Sequence, residues 1–140
     1  MSRALFLDPS VLLLAVGGPH RWRDSCRRVL AAAGAGAVEL HLSVEGGQEF
    51  LFHRLRRGHR EQAVREFDAV DELAFWHDFD VDILRASREL VAEGHARGRD
   101  AVHAATALAA DFSAIVSCDA DFDDIPGLRR LEPEEALEGL

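Results

Sequence analysis

Short apolar runs that end in an acid alternate along this chain with longer stretches of helical period. Ala4-Leu5-Phe6-Leu7 is apolar at every position and stops at Asp8, the pattern of a strand covered on both faces. Pro9 suits the first turn of a helix that Val11 to Val16 continue. Gly17-Gly18-Pro19 breaks that segment, and His20 to Ala33 predicts a second helix, stopped by Gly34 and Gly36. Val38 to Leu42 alternates apolar and polar residues, which predicts a second strand. Ser43 then caps a helix running through Phe50, Leu51, Phe52 and Leu55 to Gly58. Gly46-Gly47 inside that helix costs about 1 kcal/mol per glycine against alanine, so the pair is expected to mark close packing against another backbone.

The pattern continues in the second half. His59 to Val70 predicts a helix and Leu73 to His77 a third strand. Val81 to Glu93 predicts a helix with Ile83, Leu84 and Leu90 inward, and Gly94 to Arg99 a loop. Asp100 opens a helix of small and apolar residues through Ala109, whose narrow stripe suits tight packing on a sheet. Ser113 to Cys118 predicts a fourth strand that again ends in an acid, Asp119. Leu128 to Leu131 reads as a short last strand before an acidic helical tail. Apolar strands alternating with helices imply an α/β fold, a three-layer sandwich around a mainly parallel central sheet. At 140 residues, without repeat or linker, residues 1–140 are expected to form a single domain.

Composition narrows the function classes. No run approaches the roughly 18 apolar residues of a membrane span, and the N-terminal apolar run is too short for a secretory signal. A cytoplasmic protein with no membrane association is expected. Two cysteines, Cys26 and Cys118, stand in no metal-binding spacing, so small buried thiols are expected rather than a disulfide framework or a zinc site. The net charge of −9 opposes broad attraction to nucleic acid. Against that, all sixteen basic residues are arginine, the better fork for phosphate. They cluster at Arg21, Arg23, Arg27, Arg28 and at Arg54, Arg56, Arg57, Arg60.

The candidate chemistry lies in the acids. Asp8 and Asp119 end strands, and in open α/β sheets the functional crevice lies at the carboxyl ends of the strands. Asp100 stands at a helix start, where the macrodipole favours an anion, and Glu49 lies on the helix after the second strand. Like charges gathered at one sheet edge repel unless a counter-ion joins them. A hard divalent cation, Mg²⁺ or Mn²⁺, takes oxygen ligands of this kind and can activate water for phosphoryl chemistry. Singly, each acid has a plainer explanation as a strand end, a helix cap or a solvated charge. The argument rests on their joint placement.

Four blocks of residues resemble those of the PIN domain family, and most closely the VapC-type toxins of bacterial toxin–antitoxin pairs. They are Leu7-Asp8-Pro9-Ser10-Val11-Leu12-Leu13; Ser43-Val44-Glu45-Gly46-Gly47-Gln48-Glu49-Phe50-Leu51; Gly98-Arg99-Asp100-Ala101-Val102-His103; and Ser117-Cys118-Asp119-Ala120-Asp121-Phe122 with Ile125-Pro126-Gly127-Leu128. The first two are weak alone; the third and fourth together are specific. The resemblance implies a Mg²⁺-dependent endoribonuclease, the toxin of such a module, cleaving RNA needed for translation. It implies metal ligands at Asp8, Asp100 and Asp119, with Glu49 a further ligand or an orienter of water. Asp121 would be a second-metal ligand or a structural acid, and Arg99 and Ser10 would touch substrate. It also implies a homodimer and a cognate antitoxin protein whose C-terminal segment blocks the site.

Two positions depart from the family pattern: Pro9 and Ser117 both stand where threonine is usual. The middle acid is Glu45 or Glu49, of which Glu49 fits the spacing from Ser43. His53 and His103, each one turn beyond a candidate acid, read mainly as partly buried helix residues. Other readings fare worse. Asp119, Asp121 and Asp123 have calcium-loop spacing, but Asp124 stands where glycine is required and Arg130 where a bidentate Glu is expected. A haloacid dehalogenase would carry a second Asp where Ser10 stands, and no Gly-rich phosphate loop follows the first strand. The remaining alternatives are a PIN-like binding module with a decayed metal site, or a housekeeping metal-dependent phosphatase or nuclease.

Overall fold

Asp8 N–H donates to the Val116 carbonyl at 2.9 Å, and that bond sits at the centre of the architecture. The computed structural model describes residues 2–140. Among the described residues there are five strands: β1 (Arg3–Phe6), β2 (Val38–Ser43), β3 (Ala74–His77), β4 (Ala114–Val116) and β5 (Arg129–Leu131). β1 pairs with β2, β2 with β3, and β4 with β5, all parallel. A parallel bridge between Leu7 and Val116 joins the two groups, so the strands lie in the order β3-β2-β1-β4-β5.

The described residues also form seven α-helices: α1 (Ser10–Val16), α2 (Arg23–Gly34), α3 (Val44–Arg57), α4 (Arg60–Leu73), α5 (Val81–Ala92), α6 (Gly98–Ala109) and α7 (Pro133–Ala136). Leu5, Leu7, Leu40 and Leu42 face one side, where they pack with Val11 and Leu12 of α1, Cys26 and Val29 of α2, Phe50 of α3 and Val70 of α4. Phe6 and Ile115 face the other side, against Ala104 and Ala107 of α6. Strand residues alternate faces, so β1 needs apolar side chains at both parities to be covered by both layers. α5 lies outside α6, joined to it by Ile83, Val102 and Ala105. The three-layer α/β sandwich with a parallel sheet is the observed fold.

Several sequence expectations shift. The Gly46-Gly47 pair packs against side chains, not against another backbone. A Cβ on Gly47 would stand 2.7 Å from the Trp76 ring, and one on Gly46 would meet Ser43 Oγ at 3.3 Å and His103 Cε1 at 3.6 Å. α2 starts at Arg23 rather than His20, because the Trp22 N–H donates to His20 Nδ1 and the Arg23 N–H to the His20 carbonyl, which closes a turn there. α6 starts at Gly98, so Asp100 is its third residue, not its opening one. Its residues 101–107 are buried without a break, so α6 is enclosed between α5, α3 and the sheet instead of packing by a narrow stripe. Leu84 is 55% exposed; the inner face of α5 is Ile83 and Ser87, with Leu90 partly buried.

Candidate active site

The chain steps from β1 to β2 on one side, and reaches the other side of β1 only with β4. The strand order therefore reverses between β1 and β4, and the carboxyl ends of strands at such a reversal form a natural ligand crevice. Asp8 leaves β1 there; Ser117 and Asp119 leave β4.

Asp8 is buried. Its Oδ2 accepts from the Ser117 hydroxyl at 2.9 Å and from the Ser10 backbone N–H at 3.3 Å. Ser117 Oγ accepts in turn from the Asp119 N–H at 2.9 Å, and Ser10 Oγ accepts from the Cys118 N–H at 3.3 Å. The two strand ends are thus stitched together by short polar side chains. Burial pushes the Asp8 carboxyl above the usual carboxylate range, against the opposing effect of hydrogen bonds from Ser10 and Ser117. Asp119 Oδ1 accepts from the Asp121 N–H at 2.9 Å and starts a single 3₁₀ turn, Ala120–Phe122. That turn brings the Asp121 carboxylate back toward Asp119.

Asp100 comes from the first turn of α6. One oxygen from each of Asp100, Asp119 and Asp121 lies within 4.8 Å of the others. Asp8 lies outside that tight group but close enough to act on it. The Asp100 carboxyl is pushed up to about 6, first by burial, then by the charges of Asp8 and Asp119, with Asp121 adding to them. Three carboxylates so placed fit a hard divalent cation, which takes oxygen ligands and removes the repulsion.

Glu49 and Glu45 lie on α3, one turn apart. Glu49 Oε2 is 3.2 Å from His103 Nε2, and Glu49 Oε1 is 3.7 Å from Arg99 Nη1; Glu45 Oε1 is 3.3 Å from Arg99 Nε. Arg99 therefore spans both candidates for the middle acid. The hydrogen bond from His103, helped by the Arg99 guanidinium, holds the Glu49 carboxyl below the usual range despite its partial burial. His103 is 1% exposed, and its Nδ1 is 2.8 Å from Ser43 Oγ, which also accepts from the Gly46 N–H at 2.9 Å. A proton on Nε2 satisfies both contacts, with the Ser43 hydroxyl donating to Nδ1.

The sequence reading did not single out three of these residues for what they do. His103 is a buried link between Ser43 and Glu49, and Ser117 a buried link between Asp8 and Asp119. His103 had a signal, since it follows Asp100 by one turn and shares its helix face. Ser43 and Ser117 had only their places at strand ends. His53 lies apart from the acids, in a recess with Leu13, Val16 and Arg57. Cys26 is buried and Cys118 partly so; both are free thiols, with Sγ atoms 3.7 Å apart.

The PIN domain family model matches residues 5–128, a span holding every acid described above. The chain belongs to the PIN domain family. It is 29% identical over 131 residues to a VapC ribonuclease of Mycobacterium bovis, covering 91% of this chain and 98% of that protein. It is 29% identical over 135 residues to ribonuclease VapC7 of Mycobacterium tuberculosis, covering 94% of this chain and 93% of that protein. Similar solved structures include VapBC2 of Rickettsia felis bound to a promoter DNA fragment (TM-score 0.71, 19% identity, 92% of this chain and 98% of that one). VapBC of Salmonella typhimurium bound to DNA is another (TM-score 0.70, 17% identity, 95% and 99%). At those identities the structural likeness concerns the PIN fold. No helix of the described residues is long and apolar enough to cross a membrane.

Proposed function

We propose that this PIN domain is a divalent-metal-dependent endoribonuclease, the toxin of a VapBC-type module, acting in the cytoplasm on RNA needed for translation. The observation that carries the chemistry is the convergence of Asp100, Asp119 and Asp121 within 4.8 Å at the strand-order reversal, beside buried Asp8. The VapC ribonucleases that match nearly the whole chain support the substrate class.

Asp8, Asp100 and Asp119 are the proposed ligands of Mg²⁺ or Mn²⁺, and Asp121, on the same tight group, is proposed as a further one. The ion would supply an activated water and charge neutralisation at the scissile phosphodiester. Glu49, kept ionised by His103 and Arg99, would orient the attacking water through its carboxylate or serve as a further ligand. His103 fixes that carboxylate from below. Arg99 already answers Glu45 and Glu49, so its role toward substrate is to keep a cation at the rim of the acidic site. Ser10 holds the Asp8 loop and lines the cleft beside it.

For partners, the reading includes a homodimer and a cognate antitoxin. An apolar groove of about 660 Å³ lined by Val44, Leu51, Phe52, Phe67, Trp76 and Phe79 also includes Glu45. A segment of antitoxin seated there reaches the edge of the site, because Glu45 shares Arg99 with Glu49.

The test is growth of a bacterial host on inducing the wild-type chain beside Asp8→Asn and Asp100→Asn. Arrest by wild type, relieved by both substitutions, together with Mg²⁺-dependent cleavage of RNA by purified protein, is the expected result. Soluble wild-type protein that neither arrests growth nor cleaves RNA would overturn the reading and favour a binding module.

A further inference from the structure

Two clefts flank the acidic centre, and Ala120 lines both. One, of about 410 Å³, is bounded by Ser10, Leu13, His20, Trp22 and Asp119. The other, of about 390 Å³, contains Asp100 and Asp121 with His95 and Arg97. The first has a distinctive composition. Leu13, Leu14 and the Trp22 indole make an apolar wall, and the exposed Arg21 side chain stands with its guanidinium 4.8 Å from the centre of the Trp22 ring. His20 meets Trp22 edge-on, with ring centroids 6.5 Å apart. Among the described residues Arg21, like most of the arginines, has no carboxylate partner within salt-bridge distance; its place on the Trp22 ring in this cleft is what sets it apart. In a chain of net charge −9, an unneutralised arginine parked on an aromatic ring beside the acids calls for a reason.

We propose that this cleft is a nucleotide subsite: it takes the single-stranded RNA nucleotide next to the scissile phosphate, with its base against the Trp22–Leu13 wall and its phosphate on Arg21. The inference rests on the nuclease reading above and extends it to residues outside the acidic centre. A nucleotide is a flat, largely apolar base joined to an anion, and the cleft offers an apolar wall under a cationic rim. Its volume lies within the usual range of small-ligand sites, about 300–1,000 Å³. Bases stack on side chains only when unstacked from their neighbours, so the fitting substrate is a loop or an end, not a duplex. Cation–π contact pre-positions the Arg21 guanidinium as a plane on which a base or phosphate can settle. The second cleft, with Arg97 and His95, continues the path beyond Asp121, so the strand crosses the acids from one cationic rim to the other.

The test is direct binding, separate from cleavage. A short fluorescent single-stranded oligoribonucleotide is titrated into Asp8→Asn protein in Ca²⁺ buffer, by anisotropy and by tryptophan emission. Adding Arg21→Gln is expected to weaken binding about fivefold or more and to reduce the slope of log affinity against log salt by about one. Adding Trp22→Phe, which keeps an aromatic wall, is expected to abolish most of the oligonucleotide-induced quenching, leaving only the Trp76 signal. In the cleaving enzyme Arg21→Gln is expected to raise KM with kcat nearly unchanged. Unaltered affinity, salt slope and KM in Arg21→Gln, in a protein that still cleaves RNA, would discard the subsite and leave the nuclease standing. Binding that depends on Arg21 in a protein without cleavage would do the reverse. No binding by the parent protein would discard the subsite, and no cleavage by the wild type would remove the nuclease as well.

Discussion

The hydroxyl of Ser117 donates to Asp8 Oδ2 at 2.9 Å, joining residues 109 apart in sequence at the ends of two adjacent parallel strands. Ser117 Oγ in turn accepts from the Asp119 N–H, so one buried side chain sets the spacing of two candidate ligands. Ser117→Ala leaves Asp8 short of a donor and the Asp119 N–H without its acceptor. Loss of a hydrogen bond to a carboxylate costs about 1.5–3 kcal/mol. We expect that loss in urea unfolding, with weaker Mn²⁺ binding, and recovery of both in Ser117→Thr. Equal stability and equal metal affinity in the alanine variant would show that the link carries no weight.

Asp100 gives a pH dependence with a definite sign. Its carboxyl, held near 6 in the fold, binds its proton more tightly folded than unfolded, where an ordinary value near 3.9 applies. In metal-free buffer its contribution is fully present below about pH 4 and is lost as pH rises through about 6. Two pH units would imply about 3 kcal/mol, but solvent screens a half-exposed carboxyl, so about 1 kcal/mol is expected. Asp100→Asn should therefore match or exceed the wild type in thermal stability at pH 7 with chelator present. Adding Mg²⁺ should stabilise the wild type and not the variant. A clear fall in metal-free stability on Asp100→Asn would mark the residue as a structural group of the first turn of α6.

His103 and Glu49 make a second test. Glu49 is held below its ordinary range chiefly by the His103 hydrogen bond, so its ionised form is favoured above the usual carboxylate pKa and that advantage is lost as pH falls through the lowered value. His103→Gln removes the ring contact and should raise the Glu49 pKa. The acid limb of the pH–rate profile should move to higher pH, with kcat down about tenfold to a hundredfold. An unmoved acid limb would detach His103 from the reaction.

Gly47 is a packing test. A methyl group there would sit 2.7 Å from Cη2 and Cζ3 of Trp76, and Trp76 is itself tied by its indole N–H to Asp71 at 2.7 Å. Overpacking of this kind costs about 1–3 kcal/mol, so Gly47→Ala should lower the unfolding midpoint and shift Trp76 emission. Relief in the double variant Gly47→Ala/Trp76→Leu would confirm the partner.

Periodicity carried most of the fold. Leu5, Phe6 and Leu7 had to be covered on both faces because alternate strand residues point to opposite sides, and the helical stretches between strands supplied the covering layers. Acids at the ends of two strands announced a site, since strand ends in such sheets gather at one crevice. Local signals failed where a neighbour far along the chain set the outcome. The Gly46-Gly47 pair was readable as close packing, but not as contact with Trp76 and His103. Leu84 reads as apolar by composition, yet it lies 55% exposed because α5 packs mainly against α6, through its other face. The chain's order of residues thus settles which segments are strands, which faces are apolar and which residues are acids. The three-dimensional arrangement settles which acids meet: that Asp121 turns back toward Asp100, that Ser117 bridges Asp8 and Asp119, that His103 reaches Glu49. Hydrogen bonds and carboxylate spacing act over a few ångströms and have no period in the chain, so they come into being only when β4 docks beside β1 and α6 packs against α3.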